Sequence, residues 1–290
     1  MKPFPFATID IKHAINNLPP TLNFILPKLG FLAGTVGAIN APGASGKSWL
    51  GLQLGAYLAC NYDTLGLGSN EENKRVLILA AEDPEEILSK RLHTLAESIS
   101  EPQKLSLINN LTIACCLGKT SDFMDDGKTL NDIQLVASDY SLIILDTLSR
   151  WHSGEENDRK DAAKIMRVLE KITKSGPAIL FLHHIGKGVQ VSHQHAGRGS
   201  AVWSDEARWV AYLENVSSED SKKFGIKDAD GKKIVRLGVS KVNYSQIPES
   251  ILLERQSNGM LVALNSEVLK QKNIPSPFKK HVEVSDEGDF

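Results

Sequence analysis

The feature that most constrains the fold is a glycine-containing turn, AINAPGASGKSWL, between a strand pattern and a helix pattern. The preceding TVGAIN (35–40) is rich in β-forming residues, and GKSWLGLQLGAYLAC (46–60) has apolar residues at three- and four-residue spacing. Strand, glycine turn and helix in this order are the setting of a phosphate-binding loop, G-x-x-x-x-G-K-[ST]. Ala41 stands where that pattern has its first glycine. A turn that only caps a helix does not need Gly46-Lys47-Ser48, so the stretch predicts a phosphate-binding loop.

Each part of this loop has a physical role in holding phosphate. Gly43 and Gly46 let backbone N–H groups approach an anion without an intervening Cβ, and the helix N-terminus adds its dipole. Lys47 can reach the β- and γ-phosphates, and the Ser48 hydroxyl can bind Mg²⁺. The predicted ATP-binding residues of this segment are Ala41, Pro42, Gly43, Ala44, Ser45, Gly46, Lys47, Ser48 and Trp49.

Apolar strands and helices alternate along the following part of the chain. RVLILAA (75–81), SLIILD (141–146) and AILFL (178–182) are apolar on both faces, and helix patterns cover 84–99 and 162–176. Such strands are typical of a parallel sheet covered by helices on both sides. After residue 207, RWVAYL, KIVRLGVSK, ESILLER and GMLVAL predict short antiparallel strands that extend the same sheet. The predicted fold class is α/β: a mainly parallel twisted sheet with helices on both faces and antiparallel C-terminal strands.

The two ends of the chain differ from this pattern. One helix pattern (9–17) ends before Pro19-Pro20, and the last residues are the acidic EVSDEGDF. We therefore divide the chain into an N-terminal arm (1–30), one nucleotide-binding domain (31–264) and a tail (265–290), and we expect the end of the tail to be disordered.

Composition excludes some functional classes. The formal net charge is -2, so any binding of nucleic acid must be local. The three cysteines are typical of buried side chains in a reducing compartment. No apolar run approaches the roughly 20 residues of a membrane helix. The start of the chain lacks a signal-peptide pattern. We expect a cytoplasmic protein without a membrane partner.

Carboxylates follow two of the apolar strands. Asp146 ends SLIILD, where a parallel sheet places its ligands, and it can hold the Mg²⁺ shell. Glu82 follows RVLILAA, and a carboxylate there can orient and deprotonate an attacking water. Asp83, Glu85 and Glu86 are better explained by helix capping, with Asp83 at the N-cap and the two glutamates in the first turn.

The order of these motifs, followed by a strand that ends in His183-His184, is that of RecA-type ATPases. The match extends to AGTVGAINAPGASGKSWLGLQLGA, LAAEDP, RLHTL, LIILDTLSRWHSGEEN, ILFLHHIGKG, GRGSAVWSDEARWVAYL and RLGVSKVNYS. Over about residues 9–250 the chain resembles the RepA-type hexameric replicative DNA helicases of broad-host-range plasmids. The resemblance implies a RecA-like P-loop fold, a homohexameric ring with ATP at each subunit interface, and single-stranded DNA in the channel.

The resemblance also implies roles for single residues. Lys47 and Ser48 bind phosphate and Mg²⁺, Glu82 is the catalytic base, Asp146 is the Mg²⁺ aspartate, and His184 senses the γ-phosphate. Members of this family often have a small residue other than glycine at the position of Ala41.

Four further residues are expected to act on the nucleotide, and for Arg208 the resemblance itself implies the role. Arg208 in DEARWVAYL matches the family's arginine finger, and a guanidinium from a neighbouring subunit would stabilise the transition state; the alternative is a surface ion pair of little energy. Lys241 and Tyr244 would reach the neighbour's nucleotide, with Tyr244 stacking on adenine, and Arg91 would face that base from its own subunit. A tyrosine after a strand is more often a packing residue.

ILFLHHIGKGVQVSHQHAGRGS holds four histidines within thirteen residues. Neutral imidazoles suggest zinc, but adjacent His183 and His184 should point to opposite faces, no cysteine is nearby, and the spacing to His193 and His195 fits no zinc pattern. In the alternative interpretation this glycine-punctuated segment enters the ring channel. Lys187 and Arg198 then contact DNA phosphates, and the last two histidines stack on bases or keep the loop soluble.

Three functional interpretations follow from these motifs. The leading one is an ATP-driven hexameric helicase of plasmid or phage replication, with single-stranded DNA, an initiator and a primase as partners. The second is a RecA-like protein that forms an open filament on DNA. The third is an ATP-regulated protein without motor activity.

Overall fold

The structure, a computed structural model, describes residues 6–120, 122–123, 127–155, 158–185, 200–223 and 233–264. No helix within these ranges is long and apolar enough to cross a membrane. The predicted DNA contacts Lys187 and Arg198, the histidines His193 and His195, and the predicted tail all lie outside the described residues.

The described chain contains eight α-helices and eleven strands. The helices are α1 (Ile11–Asn16), α2 (Lys47–Cys60), α3 (Glu85–Ala96), α4 (Glu101–Asn110), α5 (Gly127–Ala137), α6 (Arg159–Thr173), α7 (Ser200–Glu206) and α8 (Ser218–Lys223). The strands are β1 (Phe24–Leu26), β2 (Phe31–Leu32), β3 (Val36–Pro42), β4 (Val76–Ala80), β5 (Leu111–Cys115), β6 (Leu142–Asp146), β7 (Ala178–Ile185), β8 (Trp209–Asn215), β9 (Ile234–Val242), β10 (Ile251–Arg255) and β11 (Leu261–Ala263).

Nine of these strands form one sheet in the order β11-β10-β9-β8-β3-β7-β6-β4-β5. The strands from β5 to β8 in this order are parallel, and β9, β10 and β11 continue the sheet antiparallel. This confirms the predicted fold class. One detail was wrong: β8, the RWVAYL strand, pairs parallel with β3. After β7 the chain crosses back and α7 precedes β8, so β8 starts at the same edge of the sheet as β3, as in a βαβ unit.

Helices cover both faces of the sheet. On one face the core includes α2 and the apolar sides of α3 and α4. On the other face α5, α6 and α7 pack over the sheet. Helix α2 is almost entirely buried because it lies over the centre of the sheet, where Gly51 and Gly55 permit close approach. In α6 the buried residues recur every three or four positions, as in an amphipathic helix.

The direction of the parallel strands determines where a ligand can bind. Strands β3, β4, β6 and β7 all end at the same edge of the sheet, and the loops that follow them meet there. Ligands of open α/β sheets bind at this carboxyl edge. The start of β8 and the end of β9 lie at the opposite, amino edge, since Trp209 pairs with Gly37 and with Val242.

The N-terminal segment has two parts. Helix α1 has no buried residue, and Ile9, Ile11, Ile15 and Leu18 are all largely exposed. The β1–β2 hairpin, in contrast, belongs to the main core: Phe31 stacks on Trp209 with ring centroids 4.7 Å apart. The core therefore begins a few residues before position 31, the predicted start of the domain.

Candidate active site

The loop between β3 and α2 has the geometry of an anion cradle. Gly46, the N-cap of α2, has a φ of +99°, a backbone conformation that residues with a side chain rarely adopt. Ala44 also has a positive φ, of +60°. The first intrahelical bond runs from the N–H of Leu50 to the carbonyl of Gly46, so the first N–H groups of α2 have no helical partner. Free N–H groups and the helix dipole favour phosphate at this position.

The residues before this loop are part of the strand. Ala41 is fully buried and pairs with His184 of β7, and Pro42 is the last residue of β3. These two predicted ATP-binding residues therefore belong to the sheet that supports the loop, and not to the loop itself. A residue in a strand does not need the conformational freedom of glycine, which explains why alanine fits position 41.

Lys47, Glu82 and His184 meet at the carboxyl edge. The Nε2 atom of His184 lies 2.8 Å from Nζ of Lys47 and 3.3 Å from Oε1 of Glu82. The hydrogen bond with His184 is the main cause that lowers the pKa of Glu82 to about 2, and Thr147 adds to it by donating to Oε1 at 2.8 Å. Burial lowers the pKa of Lys47. The structure thus places an ionised carboxylate beside a lysine and an imidazole.

Asp146 lies deeper in the same cleft. It is buried at the end of β6, and burial raises the pKa of its carboxyl to about 6, against the effect of a hydrogen bond with Ser48. Its Oδ1 atom is buried and has no hydrogen-bond partner within the described residues. A carboxylate and a hydroxyl are oxygen ligands of the kind that Mg²⁺ takes, and Mg²⁺ keeps several waters and substrate phosphates as its remaining ligands. The two residues fit the predicted Mg²⁺ site.

Arg91 and Trp49 form one wall of the cleft. Arg91 makes a salt bridge with Asp83 at 2.5 Å, and its guanidinium lies 5.9 Å from the centre of the Trp49 ring. The prediction that Asp83 caps α3 was wrong, because Pro84 is the N-cap and Asp83 is bound to Arg91. Glu85 and Glu86 do lie in the first turn of α3.

Two residues that the motifs did not predict also line the cleft. They are Arg255 at the end of β10, which is hydrogen-bonded to the phosphate loop, and Gly259 in the following turn. Thr147, which holds Glu82, was missed as well, although it directly follows Asp146. Arg255 lies 211 positions from its partner Ala44, and no local pattern connects the two.

Arg208, Lys241 and Tyr244 lie at the opposite edge of the sheet. The N–H of Arg208 donates to the carbonyl of Val36, at the start of β3, at 3.3 Å. Lys241 pairs with Val210 and donates to the carbonyls of Ser204 and Asp205 at 3.0 and 2.7 Å. At a rise of about 3.3 Å per residue, β3 puts roughly 20 Å between the two edges. None of the three residues lies in the cleft of its own chain.

His183 and His184 point to opposite faces of β7, as predicted. His183 is buried, its ring centroid is 5.9 Å from that of Trp203, and burial lowers its pKa to about 4, so it is a neutral core residue. His184 faces Lys47 and Glu82. Among the described residues no group of three or more His, Cys, Asp or Glu side chains is arranged to hold a metal ion.

Two comparisons with known proteins agree with this architecture. A family model described as an AAA domain matches residues 2–190. A solved structure of the ATPase domain of another protein is similar to this chain with a TM-score of 0.55 and 14% sequence identity, over 80% of this chain and 85% of that one. At this identity the likeness concerns the fold alone.

Proposed function

From the premise that this chain belongs to the AAA domain family, we propose that it is an ATPase of the RecA-like helicase type. The observation that carries the proposal is the convergence of Lys47, Ser48, Glu82 and Asp146 at the carboxyl edge of a parallel sheet, beside an anion-binding loop. ATP and Mg²⁺ are the substrate and cofactor that these side chains fit.

Each residue of the cleft has a distinct task in hydrolysis. The N–H groups of residues 43–49 and the ammonium of Lys47 hold the phosphates. Ser48 and Asp146 would hold Mg²⁺, which neutralises phosphate charge when bound. Glu82 orients and deprotonates the attacking water, since its carboxylate lines the cleft beside the phosphate loop. His184 donates to the γ-phosphate in place of its contact with Glu82, and Arg91 lies against the base.

Among the described residues, the two arginines that line the cleft of one chain are already bound: Arg91 pairs with Asp83, and Arg255 binds the carbonyls of Ala44 and Ser45. Arg208, Lys241 and Tyr244 lie about 20 Å away at the amino edge of the sheet, too far to serve the nucleotide of their own chain. A head-to-tail assembly brings the amino edge of one subunit to the carboxyl edge of the next, and a closed assembly of this kind is a ring. We assign Arg208 as the arginine finger and Lys241 and Tyr244 as nucleotide contacts in such a homohexamer.

The proposed work of this ring is unwinding DNA in plasmid or phage replication. Lys187 and Arg198 then contact the phosphates of single-stranded DNA in the channel, the exposed apolar arm around α1 contacts a neighbouring subunit, and initiator and primase proteins are partners. The protein acts in the cytoplasm in this proposal.

Electron microscopy combined with an ATPase assay tests the proposal. With ATP and Mg²⁺ we expect closed six-membered rings, and single-stranded DNA should stimulate hydrolysis. Open filaments would instead support a RecA-like filament protein, and nucleotide binding without DNA-stimulated turnover would support a regulatory protein. Replacing both Lys187 and Arg198 by alanine should weaken binding of single-stranded DNA and reduce its salt dependence while basal hydrolysis continues.

A further inference from the structure

The nucleotide cleft has a wall built by the C-terminal hairpin of β10 and β11. Arg255 and Gly259 of this hairpin line the cleft together with the phosphate loop and Trp49. The family match ends at residue 190, before the hairpin begins. The cleft is therefore completed by a part of the chain that the matched region does not include.

Arg255 makes two hydrogen bonds to the outer side of the phosphate loop. Its Nη1 atom donates to the carbonyl of Ala44 at 3.0 Å, and its Nη2 atom donates to the carbonyl of Ser45 at 2.6 Å. Nη2 also lies 3.4 Å from Oδ1 of Asn215 at the end of β8. One planar guanidinium thus connects two consecutive peptide groups of the loop to the sheet.

The contact matters because of how a phosphate loop works. Its N–H groups must point inward at the anion, so several of its carbonyls point outward and need partners elsewhere. Ala44 adopts a positive φ, which costs energy for a residue with a Cβ and persists only when the surroundings hold it. A guanidinium that binds the carbonyls of Ala44 and Ser45 fixes the orientation of both peptide groups before a nucleotide arrives.

The hairpin holds Arg255 firmly enough for this task. The buried amide of Gln53 on α2 accepts from the N–H of Leu261 at 3.0 Å and donates to its carbonyl at 2.6 Å. A Cβ built on Gly259 would collide with Nε1 of Trp49, so the turn of the hairpin rests directly on that ring. Arg255 is consequently attached to the helix that follows the phosphate loop as well as to the loop itself.

We propose that Arg255 is a positioning residue that pre-organises the phosphate loop for the di- or triphosphate of a nucleotide. The inference rests on the proposed binding of nucleotide at this loop. Pre-organisation lowers the cost of ordering the loop on binding, so its loss appears mainly in affinity. Once ATP is bound the phosphates hold the loop, and the chemistry of Glu82 is little affected.

The experiment compares three variants of the full chain. Arg255→Met removes both hydrogen bonds with similar volume, and Arg255→Lys keeps the charge but cannot span two carbonyls. Arg236→Met, on β9 of the same extension, removes a salt bridge to Glu214 away from the cleft and is the matched control. We measure Kd for Mg·ADP by calorimetry and KM and kcat for ATP.

Arg255→Met should raise Kd and KM about tenfold while kcat stays within about threefold. Arg255→Lys should fall between this variant and the unchanged protein, and Arg236→Met should bind as the unchanged protein does. Equal Kd values in all proteins would overturn the role of Arg255. So would a fall of kcat at constant KM, because that result indicates a smaller fraction of active protein.

Two other outcomes are distinguishable. If the unchanged protein does not bind Mg·ADP, the proposed function fails and not only the role of Arg255. If Arg255→Met does not fold, Arg255→Lys decides: raised Kd at an unaltered melting temperature supports positioning, and unaltered Kd refutes it.

Discussion

Glu82 and Lys47 occupy the same cleft but differ in what their loss should do. Lys47→Ala removes the charge that faces the phosphates, so we expect nucleotide affinity to fall about ten- to hundredfold and turnover to fall with it. Glu82→Gln keeps the shape and removes the base, so affinity should be nearly unchanged while kcat falls about 10²–10⁴-fold. Calorimetry with Mg·ADP and a phosphate-release assay separate the two effects. Hydrolysis at the original rate by Glu82→Gln would exclude Glu82 as the base.

Asp146 gives the site a pH dependence of opposite sign to that of Glu82. Burial raises the carboxyl pKa of Asp146 to about 6, so the folded protein holds this proton over a pH range where the unfolded chain has released it. The free energy of unfolding should therefore fall as the pH rises from about 4 to about 6 on account of this group. The contribution of Glu82, whose pKa is about 2, is present above its unfolded value and is lost as the pH falls toward 2.

The same titration should control Mg²⁺ binding, since a proton and Mg²⁺ compete for the Asp146 carboxylate. We expect the Mg²⁺-dependent part of ADP affinity to rise between pH 5 and about 7 and then level off, in proportion to the ionised fraction. Calorimetry at several pH values measures this. Asp146→Asn should reduce the pH dependence to the part that comes from ionisation of the terminal phosphate of ADP, at about pH 6. Asp139→Asn, at an exposed position, should keep it in full. A Mg²⁺ effect that is constant from pH 5 to 7 would contradict the assignment.

The residues of the site differ in how far the sequence could predict them. Lys47, Ser48, Glu82 and Asp146 come directly after apolar strands or at a helix start, and a parallel sheet brings such positions together. In the structure the four residues lie together at the carboxyl edge of the sheet. Arg255 could not be found in this way, because its contact depends on how the C-terminal strands curve over the loop.

At the scale of elements, continuous apolar runs were the reliable pattern. The predicted strands at 35–40, 75–81 and 141–146 are found within two residues of their bounds, while β7 continues three residues further, to Ile185. No bounds of a helix or strand were predicted between residues 100 and 140. In this region strand β5 lies at the sheet edge with mixed exposure, and Thr112 interrupts its apolar residues. Helix α4 did have a readable start, a capping box of Ser100 and Gln103.

The attachment of the C-terminal hairpin depends on one buried side chain. Gln53 is 1% exposed, and its amide satisfies both backbone groups of Leu261. Gln53→Leu keeps the volume and leaves these two buried groups without partners, so we expect the free energy of unfolding to fall by about 2–4 kcal/mol. Urea denaturation measures the change. Gln256→Leu, exposed in the turn of the same hairpin, should change it by less than about 0.5 kcal/mol. Similar values for the two variants would show that Gln53 does not anchor the hairpin.

At the scale of the whole molecule, the residues of the proposed composite site are divided between the two edges of the sheet. The carboxyl edge has the phosphate loop, Glu82 and Asp146, and the amino edge has Arg208, Lys241 and Tyr244. Sequence order gave no indication of this separation, since Arg208 and His184 are close along the chain. The separation follows from the parallel pairing of β3 with β8, because this pairing puts the start of β8 at the edge opposite the phosphate loop.

Mixing two inactive variants tests whether the two groups of residues at one site come from different subunits. Arg208→Ala chains keep Glu82, and Glu82→Gln chains keep Arg208, so neither protein alone should hydrolyse ATP. In a ring assembled from equal amounts of both, a site works when an Arg208→Ala chain holds the nucleotide and a Glu82→Gln chain follows it. Random assembly gives this arrangement at about one interface in four, and we expect about a quarter of the original rate.

Two controls make the result of this mixing experiment decisive. Each variant should first be shown to bind Mg·ADP, because the argument requires intact clefts in both chains. Mixing Glu82→Gln with Lys47→Ala, which disable the same cleft, should restore nothing, since every site then lacks one of its own residues whatever its neighbour supplies. If the Arg208→Ala mixture is as inactive as this control although mixed rings form, Arg208 serves the nucleotide of its own chain or none. Recovered activity would require an Arg208 guanidinium to act across a subunit boundary, which the distance between the two edges of the sheet leads us to expect.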